Sequence, residues 1–123
     1  MLHDQGNYRP GHIVKVRLDD SRGAGKIRWM LVLSDLQSEP NHPFFLCVAI
    51  STTFPHPPPA NSFPPPWHPS GSASTGLRKR SAAILDWVRK IPPDAIIQKD
   101  GYVTNAMLRP IYKSLESFED TVQ

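Results

Sequence analysis

The chain has 123 residues and a formal net charge of +3, with a sequence pI near 9.2; that is one domain around one modest core, with a charge balance suited to an anionic partner. A single cysteine, Cys47, excludes a disulfide framework and fits a reducing compartment. No stretch approaches the roughly 20 apolar residues of a membrane span, and the polar start MLHDQGNYRPG lacks an apolar signal core, so a cytoplasmic protein without a membrane partner is expected.

In chain order, Ile13 to Leu18 alternates as a strand with Val14, Val16 and Leu18 inward and Lys15 and Arg17 outward. Asp19 to Lys26 is turn chemistry, with acids and serine to bond local amides and glycines to permit positive φ. Its GAGK fails as a phosphate loop, because the glycine spacing is short, no Ser or Thr follows Lys26, and the next residues are strand-like. Ile27 to Ser34 and Phe44 to Ser51 are near-continuous apolar runs whose length and flanking turn residues favour two antiparallel strands. Cys47 lies inside the second run and reads as a small buried hydrophobe rather than a nucleophile.

Residues 54 to 76 form a Pro/Ser/Gly-rich loop within the single domain, 1 to 123. Prolines at 55, 57 to 59, 64 to 66 and 69 cannot sit in a central strand, since proline fixes φ and donates no amide proton. The segment reads either as a stiff extended loop flanking a site or as a ligand for a proline-binding module. Ser81 to Ile91 is a further strand candidate, Pro92-Pro93-Asp94 a brief helical turn, Lys99-Asp100-Gly101 a turn, and Tyr102-Val103 a short closing strand. Thr104 or Asn105 caps a helix over 104 to 120. Met107, Leu108, Ile111, Leu115 and Phe118 share one face of it with Tyr112 at the edge, and Pro110 is expected to kink or delay it. The expected fold is therefore mainly β with a C-terminal helix, a small antiparallel sheet or barrel.

The order of these pieces resembles the PemK/MazF family of toxin endoribonucleases. The resemblance is carried by Gly11-His12-Ile13-Val14, Arg28 before Val32-Leu33-Ser34, Val48-Ala49-Ile50-Ser51-Thr52, and Gly76 leading through Ser81 to the strand Ala82 to Val88 and Arg89. It implies an SH3-like barrel with a C-terminal helix, usually a homodimer, that cuts single-stranded RNA at short sequences without metal or cofactor. A cognate antitoxin neutralises such a toxin by occupying its RNA groove. The family's arginine and hydroxyl residue tied to catalysis map onto Arg28 and Ser51, with Thr52 one place on. Trp29 stands where the family usually has proline, and Ser51 where it usually has threonine.

Metal-free RNA cleavage uses the substrate's own 2′-OH, so the protein must stabilise charge on the phosphorane and assist proton movement. The planar fork of Arg28 matches two phosphate oxygens, whereas its high pKa makes it an awkward proton carrier. Ser51 would hydrogen-bond a phosphoryl or leaving-group oxygen. Without the resemblance, Arg28 reads as a solvated strand-end charge and Ser51 as a turn-closing hydroxyl. His56 and His68 titrate in a useful range, yet an incidental loop histidine is the commoner case for each than a catalytic one.

An RNA groove needs cations and stacking surfaces. Arg22, Lys26, Arg78, Lys79, Arg80 and Arg89 are the candidate cations, Trp29, Trp67 and Trp87 could stack on bases, and His68 beside Trp67 is a further candidate RNA contact. Each tryptophan has a core or interface reading as well, and Arg78-Lys79-Arg80 also reads as a solvated turn. Scattered histidines, one cysteine and no carboxylate cluster give metal chemistry no support. Two competing readings are a non-catalytic or gyrase-directed binding module on the same barrel and a Pro-rich interaction protein.

Overall fold

The structure, a computed structural model, describes residues 8–19, 25–38, 42–52 and 62–122. Its strands are β1 (His12–Asp19), β2 (Gly25–Val32), β3 (Phe45–Ser51), β4 (Ser62–Phe63), β5 (Ala82–Ile91) and β6 (Ile96–Tyr102), followed by the helix α1 (Asn105–Val122). They form one antiparallel sheet in the order β4-β5-β3-β2-β1-β6. The expected architecture is present, with the sheet left open between β4 and β6 rather than closed into a barrel. A two-residue β4 carries too few amides to close it.

The apolar runs of β2 and β3 are continuous because both faces of the sheet are covered. On one face, Val14 and Val16, Met30 and Val32, Phe45 and Cys47, Ile91 and Ile96 meet in a single cluster. Five strands can share one such cluster only if the sheet curls around it. On the other face, Ile13, Leu31, Val48 and Ile50 pack under Leu108 and Ile111 of α1. The outward/inward reading of β1 therefore describes only one face: Ile13 is as fully buried as Val14, and Lys15 is half-buried.

Helix α1 begins where the sequence places it. The Thr104 Oγ1 accepts the Met107 amide at 3.3 Å, so Thr104 is the cap. Of the apolar face, Leu108 and Ile111 are buried and Met107, Leu115 and Tyr112 half-buried against the core; Phe118 lies outside the residues whose side chains are described. The Tyr112 hydroxyl donates to the Leu33 carbonyl at 2.6 Å and pins the helix to the end of β2. Pro110 does not delay the helix, which runs from Asn105 through it. The carbonyl that loses its partner belongs to Ala106, an exposed residue where water can replace the missing amide.

Two loop expectations are corrected. Lys99-Asp100-Gly101 is not a turn but part of β6, and the ladder with β1 steps from Ile13↔Gly101 to Val14↔Lys99, leaving Asp100 as the extra residue of a bulge. The proline-rich loop contains the edge strand β4, paired with β5 at Ser62↔Ile84 and Phe63↔Ala83; its part at 53–61 lies outside the described residues.

Residues 66–77 form a second layer stitched onto β6. The Thr75 hydroxyl, fully buried, donates to the Pro66 carbonyl at 2.7 Å and accepts the Leu77 amide at 3.1 Å, and the Tyr102 amide donates to the Ser74 carbonyl at 2.9 Å. Two glycines permit this contact. Gly76, at φ 75°, lies against the Asp100 carbonyl, and Gly101 lies against the backbone of Ser74 and Thr75. A Cβ at 101 has no flexible side chain to push aside, only main chain. Gly101→Ala is expected to lower the unfolding free energy by about 2 kcal/mol or more, read as a lower midpoint in urea; an unchanged midpoint would show that the loop is not held at this contact.

Candidate nucleic-acid interface

A polar cavity of about 530 Å³ opens where β1, β2, the end of β3, the 71–81 loop and β6 converge. It lies on the helix-facing side of the sheet, because register makes its strand residues neighbours. Lys15 is paired with Trp29, and Trp29 with Ile50, so these side chains share a face. Thr52, two residues beyond Ile50, lines the same cavity, as do Arg78, Lys79 and Ser81 from the loop. Gln98 and Asp100 of β6 complete its wall.

Asp100 is the hub. Its Oδ2 accepts the Trp29 Nε1–H at 2.7 Å, its Oδ1 accepts an amide hydrogen of Gln98, and the Lys15 ammonium stands 3.9 Å away. The Asp100 side chain is only 13% exposed, while that of Lys15 is 33% exposed. The Lys15 Nζ also sits 5.6 Å from the centre of the Trp29 ring, so one cation serves both the carboxylate and the indole. Arg78 is extended against Gly71, whose missing side chain leaves room for it, and the Ser81 hydroxyl donates to the Lys79 carbonyl at 2.8 Å.

Of the candidate RNA contacts, the cavity brings together Trp29, Arg78 and Lys79, and of the candidate catalytic residues it takes in Thr52 alone. It adds Lys15, Ser81, Gln98 and Asp100, none of which the sequence offered as binding residues. Alternation alone could have found Lys15, which shares a face with Trp29 once β1 and β2 are paired. Nothing local marks Asp100, since only the bulge turns it inward.

Arg28 and Ser51 occupy a different position. Carrying the β2–β3 register one residue beyond Trp29↔Ile50 sets Arg28 opposite Ser51, and this pair shares the face of Val16 rather than that of Trp29. Arg28 is exposed, Ser51 half-buried, and neither lines the cavity. They are nonetheless the sequence neighbours of Trp29 and Thr52, about 3.8 Å away along the chain. The two groups thus lie back to back at one end of the sheet.

The remaining candidates stand apart from the cavity. Lys26, Arg80 and Arg89 are exposed, as are Trp67 at 43% and Trp87 at 49%. His68 is taken up in a loop turn: its Nδ1 lies 2.8 Å from the Ser70 hydroxyl, and its amide donates to the Leu77 carbonyl at 2.9 Å. Arg22 and His56 lie outside the described residues. Among the described residues no group of three or more His, Cys, Asp or Glu is placed to hold a metal ion, and no helix is long and apolar enough to cross a membrane.

With this geometry in view, the chain belongs to the PemK-like, MazF-like toxins of type II toxin–antitoxin systems, whose family model matches residues 9–118. Among solved structures it is similar to the Mycobacterium tuberculosis toxin MazF-mt6, with 23% identity and a TM-score of 0.63 over 91% of this chain and 97% of that one. It is also similar to the MazE-MazF structure from Deinococcus radiodurans, with 15% identity and a TM-score of 0.62 over 92% of this chain and 96% of that one. At these identities the two structures establish the shared fold. No curated protein matches the sequence.

Cys47 takes no part in the site. It is fully buried in the cluster inside the curled sheet, and burial pushes its thiol up to about 12. The reactive thiolate is then a minute fraction at pH 8. Iodoacetamide at pH 8 is expected to leave the folded protein unmodified and to label Cys47 once urea unfolds it, read by mass spectrometry; rapid labelling of the folded protein would contradict the burial.

Proposed function

We propose that this toxin is a metal-independent endoribonuclease that cuts single-stranded RNA in the cytoplasm, acts as a homodimer, arrests growth, and is neutralised by a cognate antitoxin. Membership of the family carries the reading. The observation that supports it in this chain is the end of the sheet, where a cavity holding cations, hydroxyls and an indole backs onto the register pair of Arg28 and Ser51. A strand of RNA crossing that end can seat a nucleotide in the cavity while its next phosphate meets Arg28. The similarity to a MazE-MazF structure supports an antitoxin as partner.

In the proposed reaction the 2′-oxygen forms a bond to phosphorus and the P–O5′ bond breaks. The products are a 2′,3′-cyclic phosphate and a 5′-hydroxyl, with one proton passing in net from the 2′-OH to the leaving oxygen. Arg28 binds the non-bridging oxygens and stabilises the charge that grows on them. Ser51 donates a hydrogen bond to a phosphoryl or leaving-group oxygen. Thr52, on the cavity face, holds the adjoining nucleotide, and Arg78 and Lys79 hold its phosphate.

The test is incubation with single-stranded RNA in EDTA. The wild type is expected to cleave it, and Arg28→Ala to lose about 100-fold or more in rate, with Ser51→Ala losing less. Undiminished cleavage by Arg28→Ala would remove that residue from the reaction. Growth arrest on expression with cellular RNA intact would instead favour the non-catalytic or gyrase-directed reading.

A further inference from the structure

Among the described residues Asp100 is the one carboxylate that lines the cavity, and the other charged residues of its wall are Lys15, Arg78 and Lys79. That arrangement divides the space. A phosphate is drawn to the loop cations and repelled from the carboxylate, so what approaches Asp100 must be a group that donates hydrogen bonds. The carboxylate is also fixed in place. Its backbone is the extra residue of the β6 bulge, with Gly76 packed against its carbonyl, and its side chain is held by the Trp29 indole, the Gln98 amide and the Lys15 ammonium. A carboxylate has about four lone-pair positions, and the indole and the amide use two of them, so acceptor capacity remains.

From this we infer that Asp100 is a specificity-determining residue, accepting a hydrogen bond from the exocyclic amino group of the nucleobase seated in the cavity. The inference rests on the proposed RNA-binding role. Volume permits it, since about 530 Å³ admits a single nucleotide. Cytosine, adenine and guanine carry such an amino group. Uracil does not: it has a carbonyl where cytosine has its amine, and two acceptors facing each other repel. Cytosine and uracil have the same size and differ only along that edge, the 4-amine and bare N3 of cytosine against the 4-carbonyl and N3–H of uracil, so they separate hydrogen-bond readout from fit. Gln98 is the positioning residue for this contact. Its amide holds Oδ1, and its exposure on β6 makes its removal tolerable to the fold.

The experiment measures equilibrium binding of oligocytidylate and oligouridylate hexamers, at fixed salt and in EDTA, to the wild type, Asp100→Asn and Gln98→Ala. Both oligomers carry 2′-fluoro substituents so that none is consumed. The wild type is expected to bind the cytidine oligomer about tenfold tighter, as a single specific base contact allows. Asp100→Asn should bring the two within about twofold, because its amide can satisfy either base, and Gln98→Ala should narrow the gap without closing it. Circular dichroism confirms that each variant is folded; if Asp100→Asn is not, the wild-type ratio and Gln98→Ala decide. Equal wild-type affinities, no binding of either oligomer, or a preference that survives in folded Asp100→Asn overturns the inference. Cleavage of natural RNA without a cytidine preference leaves the nuclease reading standing and removes this one, whereas a preference without cleavage does the reverse.

Discussion

A sheet covered on both faces has little room for polar chemistry except at its ends. In this protein one face curls around Val14, Met30, Cys47 and Ile91, and the other lies beneath Leu108 and Ile111 of the helix. Each charged group placed midway along β2 or β3 would have to leave water on one side or the other, at a cost no local partner offsets. The polar residues of those strands therefore collect where both apolar layers stop, at Lys26 and Arg28 of β2 and at Ser51 of β3 with Thr52 just beyond it. Because the strands run antiparallel, these are the same end. The burial that stabilises the fold also gathers the candidate site.

That end would be a shallow rim without the 66–77 layer. Gly76 and Gly101 let two backbones approach more closely than any side chain allows, and the buried Thr75 hydroxyl fixes the loop's path. The consequence for chemistry is that Arg78 and Lys79 are presented on a wall held by main-chain contacts rather than on a free turn. Preorganised cations lose less conformational freedom when an anion arrives, which is where much of the cost of binding lies. Fold stability and the placement of these cations thus share one contact.

The sequence made the strand content and the helix legible because both are written in local periodicity. Uninterrupted apolar runs of strand length, and an apolar face closed by Thr104, survive any packing arrangement. What could not be read was which face each residue serves. Alternation along β1 put Lys15 outward, correctly with respect to one core, but the second core on the far side turns outward into a cavity. Asp100 was hidden for a different reason. Lys-Asp-Gly has turn composition, and only the pairing of β6 with β1, from His12↔Tyr102 to Val16↔Ile96 and so far apart in sequence, stretches it into a strand with a bulge. The register relation of Arg28 to Ser51 followed from antiparallel pairing alone; their separation from the cavity by one face did not, since it depends on where the helix and loop lie.

Trp29 connects these observations. The resemblance leads one to expect proline there, and proline in a strand paired on both sides forfeits a ladder hydrogen bond. Trp29 sits between β1 and β3, in register with Lys15 and Ile50, so it keeps its amide available to the ladder. Its side chain then reaches across β1 to Asp100 of β6, with the Lys15 ammonium beside the ring on the way. An indole has one donor and no acceptor, so this tie also fixes the orientation of the ring. The residue next to Arg28 is thereby locked from both backbone and side chain, and the arginine's starting point at the sheet end is set by a clasp two strands wide. A departure from the family pattern at this position thus supplies a substitute constraint, and it ties the geometry of Arg28 on one face to the carboxylate that lines the cavity on the other.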